Sequence, residues 1–268
     1  MDIQEKIDNY QELGLSLVDA TAKVCGEIIL YKISKSPTAH SVTIKGGVVL
    51  MNISKDLRRA TRDLDLDFIK YSLADESIAE FIKKLNQVDD NIKLKIKYPI
   101  TELKHQDYNG KQVMLEFIDD SGKKYNFKLD IGIHKNLKLE QKEFCFDLAS
   151  IPETVTLLIN TKEQILSEKL KSLLKIGPAS SRYKDIFDFY YLIKINPVNK
   201  NKLKELLDDY IINDPDMWEN NYEDIYNRLS DIFKNKEYFN DLKQARYNWL
   251  ELPAKEVVNE ILEYFKSL

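Results

Sequence analysis

The sequence predicts an α+β chain, with a mixed β-sheet domain and flanking helices over residues 1–161 and a helical bundle over residues 162–268. Three observations carry this reading. Between Ser41 and Ile159, short runs alternate apolar and polar residues, the period of strands with one buried face. From Lys162 onward the apolar residues recur at helical spacing instead. Only eight glycines and seven prolines occur in 268 residues, which leaves little room for long linkers. Strands followed by helices give an α+β class with an appended bundle.

The elements follow in order. Leu13, Leu17, Val24, Ile28 and Leu30 have helical spacing, so one or two helices are expected between Ile7 and Ile33. Ser36-Pro37 breaks the pattern, and Ser41 to Ile44 is β-branched enough for a short strand. Val48 to Ile53, after Gly46-Gly47, begins a helix. Leu64 to Ile69 alternates apolar and acidic residues, a strand. A helix is expected over Ser77 to Leu85. Strands are expected over Ile92 to Ile100, Val113 to Ile118, Tyr125 to Ile133 and Thr154 to Ile159. Asp119-Asp120-Ser121-Gly122 makes a hairpin turn between the second and third of these. Ile165, Leu166, Leu170, Leu173 and Leu174 form a helix face that stops at Gly177-Pro178. Helical patterns recur at Asp185 to Ile195, Lys202 to Ile212, Tyr222 to Phe233 and Glu256 to Phe265.

Composition excludes several classes. Hydrophobic residues at 43% can build a core, and charged residues at 31% exclude a fibrous or membrane chain. No run approaches the roughly 18 uncharged apolar residues of a membrane span. Forty basic against 44 acidic residues give a formal charge of -4, which does not describe a protein that coats nucleic acid through bulk charge. The acidic opening MDIQEKIDNY lacks the basic start of a secretory signal, so a cytoplasmic protein is expected. Cys25 and Cys145 lack zinc spacing and are expected to be small core residues. His40, His105 and His134 are too scattered for a metal site. Lys93, Lys95 and Lys97 alternate with apolar residues, as on an exposed edge strand.

The chemistry concentrates in Lys45-Gly46-Gly47 and, further on, Arg59-Ala60-Thr61-Arg62-Asp63-Leu64-Asp65. Side chains alternate along a strand, so Asp63, Asp65 and Asp67 share one face, while Leu64, Leu66 and Phe68 pack on the other. Like charges on one face repel unless cations bridge them, and carboxylate oxygens suit Mg²⁺. A glycine pair between strand and helix frees backbone N–H groups for phosphate. Asp130, in an alternating run, is a further candidate acid, since an acid among apolar residues calls for a partner or a metal. Asp107, Asp119 and Asp120 sit in turn-like contexts and compete less well.

The glycine pair followed by Asp-x-Asp resembles the nucleotidyltransferase superfamily that includes polymerase β. With Glu168 to Leu174 and Arg182 to Phe189 added, the chain resembles the AbiEii/AbiGii-type nucleotidyltransferase toxins over roughly residues 40 to 195. Members are toxin halves of bacterial toxin–antitoxin and abortive-infection systems. The resemblance implies a nucleotidyltransferase-like mixed sheet followed by a helical domain. It implies Mg²⁺ or Mn²⁺ as cofactor and an NTP as substrate, with Asp63, Asp65 and Asp130 as ligands and Gly46, Gly47 and Thr61 near the triphosphate. It makes Lys169 the functional lysine and Asp185 or Asp188 the acid that follows it. The acceptor it favours is RNA, such as the 3′ end of tRNA, and an antitoxin is the implied partner. The chain departs from the family at Val48, where Thr or Ser is frequent. Arg62 is expected to face away from Asp63. The alternative is a nucleotide- or partner-binding module of the same fold without turnover. The aromatics from Phe187 to Tyr191 are expected in the core.

Overall fold

The computed structural model describes residues 2–103, 110–134 and 141–268. The chain divides into two compact units, Met1–Asn160 and Thr161–Leu268.

The first unit opens with α1 (Ile3–Glu12) and α2 (Leu17–Lys35), each started by a side-chain cap. Asp2 accepts from the backbone N–H groups of Gln4 and Glu5, and Ser16 accepts from that of Asp19. The chain then runs β1 (Val42–Lys45), α3 (Gly46–Ser54), β2 (Asp63–Phe68), α4 (Asp75–Leu85), β3 (Lys93–Ile96), β4 (Thr101–Glu102), β5 (Lys111–Ile118), β6 (Lys124–Ile133), β7 (Lys142–Asp147) and β8 (Thr154–Ile159). These strands form one mixed sheet in the order β3-β5-β6-β2-β1-β8-β7, with β4 on β5. The β1–β8 and β2–β6 pairings are parallel and the others antiparallel. The expected hairpin joins β5 to β6. Asp119 Oδ1 accepts from the backbone N–H groups of Ser121 and Lys123 and from the Ser121 hydroxyl, so the turn carries its own hydrogen bonds.

Register sorts the sheet into two faces. Leu64 and Leu66 of β2 stand opposite Leu129 and Ile131 of β6, and Val113 and Leu115 of β5 stand opposite Leu129 and Phe127. All are buried on the face where α2 packs against β2, β6 and β8. Each such side chain contributes about 1.5–3 kcal/mol of burial. The opposite face carries Lys45, Asp63, Asp65, Asp67, Lys128 and Asp130.

The second unit contains α5 (Lys162–Ile176), α6 (Tyr183–Tyr190), α7 (Lys200–Leu207), α8 (Tyr222–Lys234), α9 (Lys236–Leu242) and α10 (Ala254–Lys266). Asparagine supplies three of the caps: Asn199, Asn221 and Asn235 each accept from backbone N–H groups in the first turn that follows. The core is Leu170, Ile186, Phe187, Phe189, Leu229 and Ile261, all fully buried. Phe187, Phe189 and Tyr191 are thus core residues, as their spacing implies.

Four local features differ from the sequence expectation. Cys145 is exposed on β7, not in the core, while Cys25 is buried as expected. Alternation explains this: Phe144 and Phe146 flank it, and Phe146 takes the buried face. Second, β4, β7 and α9 have no counterpart among the expected elements. Third, the strand from Ile92 ends early, at Ile96, with Lys97 adding one more hydrogen bond to Met114 before Pro99, which has no N–H to donate. Fourth, α6 and α7 each finish in a wider π turn, Tyr191–Ile195 and Asp208–Ile212. There the N–H groups of Asn196 and Asn213 reach back five residues, to Tyr191 and Asp208. The edge position of β3, with Lys93 and Lys95 exposed, agrees with the alternation of its lysines. Asp107 and His105 lie outside the described residues.

Candidate active site

The site residues of the first unit come from three adjacent strands. β1 runs antiparallel to β2 with Lys45 opposite Asp65, and β6 runs parallel to β2 with Asp130 opposite Asp65. Asp65 therefore lies between a lysine position and a carboxylate position, 65 residues of chain having been folded back to bring Asp130 beside it. Asp63 is half-buried on the same face, two residues earlier, and Thr61 Oγ1 donates to its Oδ1 at 3.0 Å.

The glycine pair packs directly on this acidic strand. Gly46 has φ +69, a left-handed conformation that favours glycine. A Cβ there would overlap Asp65 Oδ2 and stand 3.1 Å from its Cγ. A Cβ on Gly47 would lie 2.7 Å from Thr61 Oγ1. The absence of side chains brings the start of α3, with its unsatisfied N–H groups, against Asp65 and Thr61. This is the physical reason for two glycines at this point.

The remaining groups on the face are paired. Asp67 is buried and its Oδ1 meets Lys45 Nζ at 2.7 Å. Lys128 Nζ lies 2.7 Å from Asp63 Oδ2 and 3.4 Å from Asp130 Oδ2. Gln112 Nε2 donates to Asp130 Oδ1 at 3.1 Å. Burial pushes the Asp130 carboxyl above its usual range, against the opposing pull of Lys128 and Gln112. Arg62, one residue before β2, turns away as expected and pairs with Asp19 at 2.8 Å. Asp119 is spent on its own turn.

Lys169, Asp185 and Asp188 form a separate cluster within the second unit. Lys169, on α5, pairs with Asp185 and lies 3.2 Å from Asp188 Oδ2, both acids on α6. Asp188 is fully buried, and Trp249 Nε1 donates to its Oδ1 at 3.2 Å. Both acids hold the lysine. Lys128, Gln112 and Trp249 escape a reading of the sequence, because their roles depend on cross-strand or cross-helix neighbours. The one local signal was that Lys128 falls two residues before Asp130, on the same face.

Hard oxygen donors on neighbouring strands suit a divalent cation such as Mg²⁺. As they stand, no three acid, His or Cys side chains among the described residues converge to hold an ion. Lys128 is a cation beside both Asp63 and Asp130.

A glycine pair packed on an Asp-x-Asp strand of a mixed sheet is the layout of a nucleotidyltransferase. The chain belongs to the AbiEii family: the family model described as "Nucleotidyl transferase AbiEii toxin, Type IV TA system" matches residues 28–258. It is thus a nucleotidyltransferase of toxin–antitoxin type. Among solved structures, an antigenic nucleotidyltransferase-like protein from Paracoccidioides brasiliensis aligns over 83% of this chain and 92% of its own, at 15% identity and a TM-score of 0.39. No curated protein gives a match. Among the described residues no helix is long and apolar enough to cross a membrane.

Proposed function

We propose that this toxin moves a nucleoside monophosphate from an NTP to an acceptor hydroxyl, on RNA such as the 3′ end of tRNA, and works in the cytoplasm beside a cognate antitoxin. The observation that carries the reading is the register of Asp65 against Asp130, with Gly46 packed on Asp65. Asp63, Asp65 and Asp130 are the residues that would hold Mg²⁺ or Mn²⁺. Bound there, the ion supplies Lewis-acid polarisation of the phosphate and lowers the pKa of the attacking hydroxyl.

The chain's own groups divide the remaining work. Backbone N–H groups at Gly46, Gly47 and the first turn of α3 bind triphosphate oxygens, favoured by the helix dipole. Thr61 orients Asp63 through its hydroxyl. Gln112 holds Asp130 Oδ1, so Oδ2 is the oxygen that accepts the proton of the attacking hydroxyl. A bond forms between the acceptor's hydroxyl oxygen and the α-phosphorus, and the bond from that phosphorus to pyrophosphate breaks. In the second unit, Asp185 with Asp188 holds and orients Lys169, the functional lysine that the family resemblance implies.

The test is incubation with each α-³²P-labelled NTP, Mg²⁺ or Mn²⁺ and total bacterial RNA, with Asp65→Ala as control. Label in an RNA band with the wild type only supports the reading. Nucleotide binding that depends on Asp65, with no label in RNA, would replace it with a binding module or a non-RNA acceptor.

A further inference from the structure

Lys128 is a cation already standing among the acids. Its Cα pairs with that of Asp63 across β2 and β6, and Asp130 follows two residues later on the same face. Its ammonium spans Asp63 Oδ2 and Asp130 Oδ2, at 2.7 and 3.4 Å. An ammonium and a divalent ion seek the same oxygens and repel each other, so they compete for this position.

The second lysine of the face shows what a fixed pair looks like. Lys45 and Asp67 have side chains only 7% and 5% exposed, and separating them would strand two charges out of water. Lys128 and Asp63 are 33% and 30% exposed. The Lys128 stem can swing its charged head into solvent while its methylenes stay packed, at little cost. One lysine is locked and the other is free to leave.

We propose that Lys128 is a displaceable counter-cation, which neutralises Asp63 and Asp130 in the metal-free protein, gives up its place to an incoming divalent ion, and so sets the metal affinity of the site. The inference rests on the reading of Asp63, Asp65 and Asp130 as metal ligands. Lys128 is a positioning residue in this account, since it acts through the carboxylates. The released ammonium is then available to phosphate oxygens arriving with the substrate.

The test is a Mn²⁺ titration followed by electron paramagnetic resonance, on the full chain without nucleotide. Lys128→Met is expected to bind Mn²⁺ about tenfold more tightly than the wild type or better, as removal of a like charge a few ångström away requires. Lys128→Arg is expected to keep wild-type affinity, and Asp65→Ala to lose it. In EDTA the Lys128→Met protein is expected to melt below the wild type, and Mn²⁺ to raise its melting temperature more. Where Lys128→Met fails to melt cooperatively, Lys128→Gln carries the same test. A folded variant that binds Mn²⁺ no more tightly than the wild type overturns the inference and leaves the metal reading standing. No Mn²⁺ on the wild type or the Met variant overturns both.

Discussion

Gly46 and Asp65 stand so close that one added carbon on the glycine would overlap the carboxylate. Gly46→Ala therefore combines two penalties: a left-handed φ of +69, costing an L-residue about 1–2 kcal/mol, and displacement of Asp65. The expected result is a lower melting temperature together with loss of label transfer. Gly14→Ala separates the two penalties. Its φ is +95 but nothing lies within 4 Å of the added carbon, so it should lose about 1 kcal/mol and keep full transfer in the same assay.

The acids of β2 and β6 are not equivalent. Asp65→Asn and Asp130→Asn are expected to cut transfer by at least about 100-fold, the scale of removing one charge-stabilising group, with little change in unfolding free energy. Asp67→Asn should behave in the opposite sense, because it removes a buried carboxylate that meets the buried Lys45 ammonium. A loss of about 3–5 kcal/mol in a urea titration is expected. Equal effects of the three substitutions on stability would contradict this division.

Lys169 holds two buried acids, so its removal is felt by the fold as well. Lys169→Met leaves Asp185 and Asp188 without their ammonium, a loss of about 3–5 kcal/mol. The triple variant Lys169→Met, Asp185→Asn, Asp188→Asn should recover much of that stability but none of the transfer. Asp188→Asn keeps an amide oxygen for Trp249 Nε1 and should perturb Trp fluorescence less than Asp188→Leu.

Tyr222 gives an alkaline signature. Burial and its hydrogen bond to Asp208, at 2.7 Å, push its phenol up to about 12. The folded state keeps a proton that the unfolded state loses near pH 10. The contribution is thus complete below pH 10 and disappears between pH 10 and about 12. Tyr222→Phe should lose less stability than the wild type across that interval, measured by urea unfolding at each pH.

Much of this was legible in the sequence, and the boundary is physical. Asp63, Asp65 and Asp130 could be proposed because alternation reports which face a strand residue occupies, even without knowing its neighbour. Gly46 and Gly47 could be proposed because few contexts require two adjacent glycines at the start of a helix. The Lys128 bridge could not, since it depends on a parallel register between strands about 60 residues apart. The π turns at Tyr191–Ile195 and Asp208–Ile212 keep nearly helical apolar spacing and leave no distinct trace. β7 was hidden by Cys145, an apolar residue on its solvent side that blurs the alternation of Phe144 and Phe146.

The parallel pairing of β1 with β8 has a consequence for the order in which the protein comes into being. β1 ends in Lys45, just before the glycine pair, and one of its two neighbours is built from Thr154–Ile159. A ribosome that has already delivered every acid of the site has still to make that strand. The glycine-bearing edge remains open to one side until the first unit is nearly complete, because non-local pairings wait for both partners. For a toxin this is a built-in delay: a truncated or stalled chain carries Asp63, Asp65 and Asp130 yet lacks the strand that closes the sheet around them.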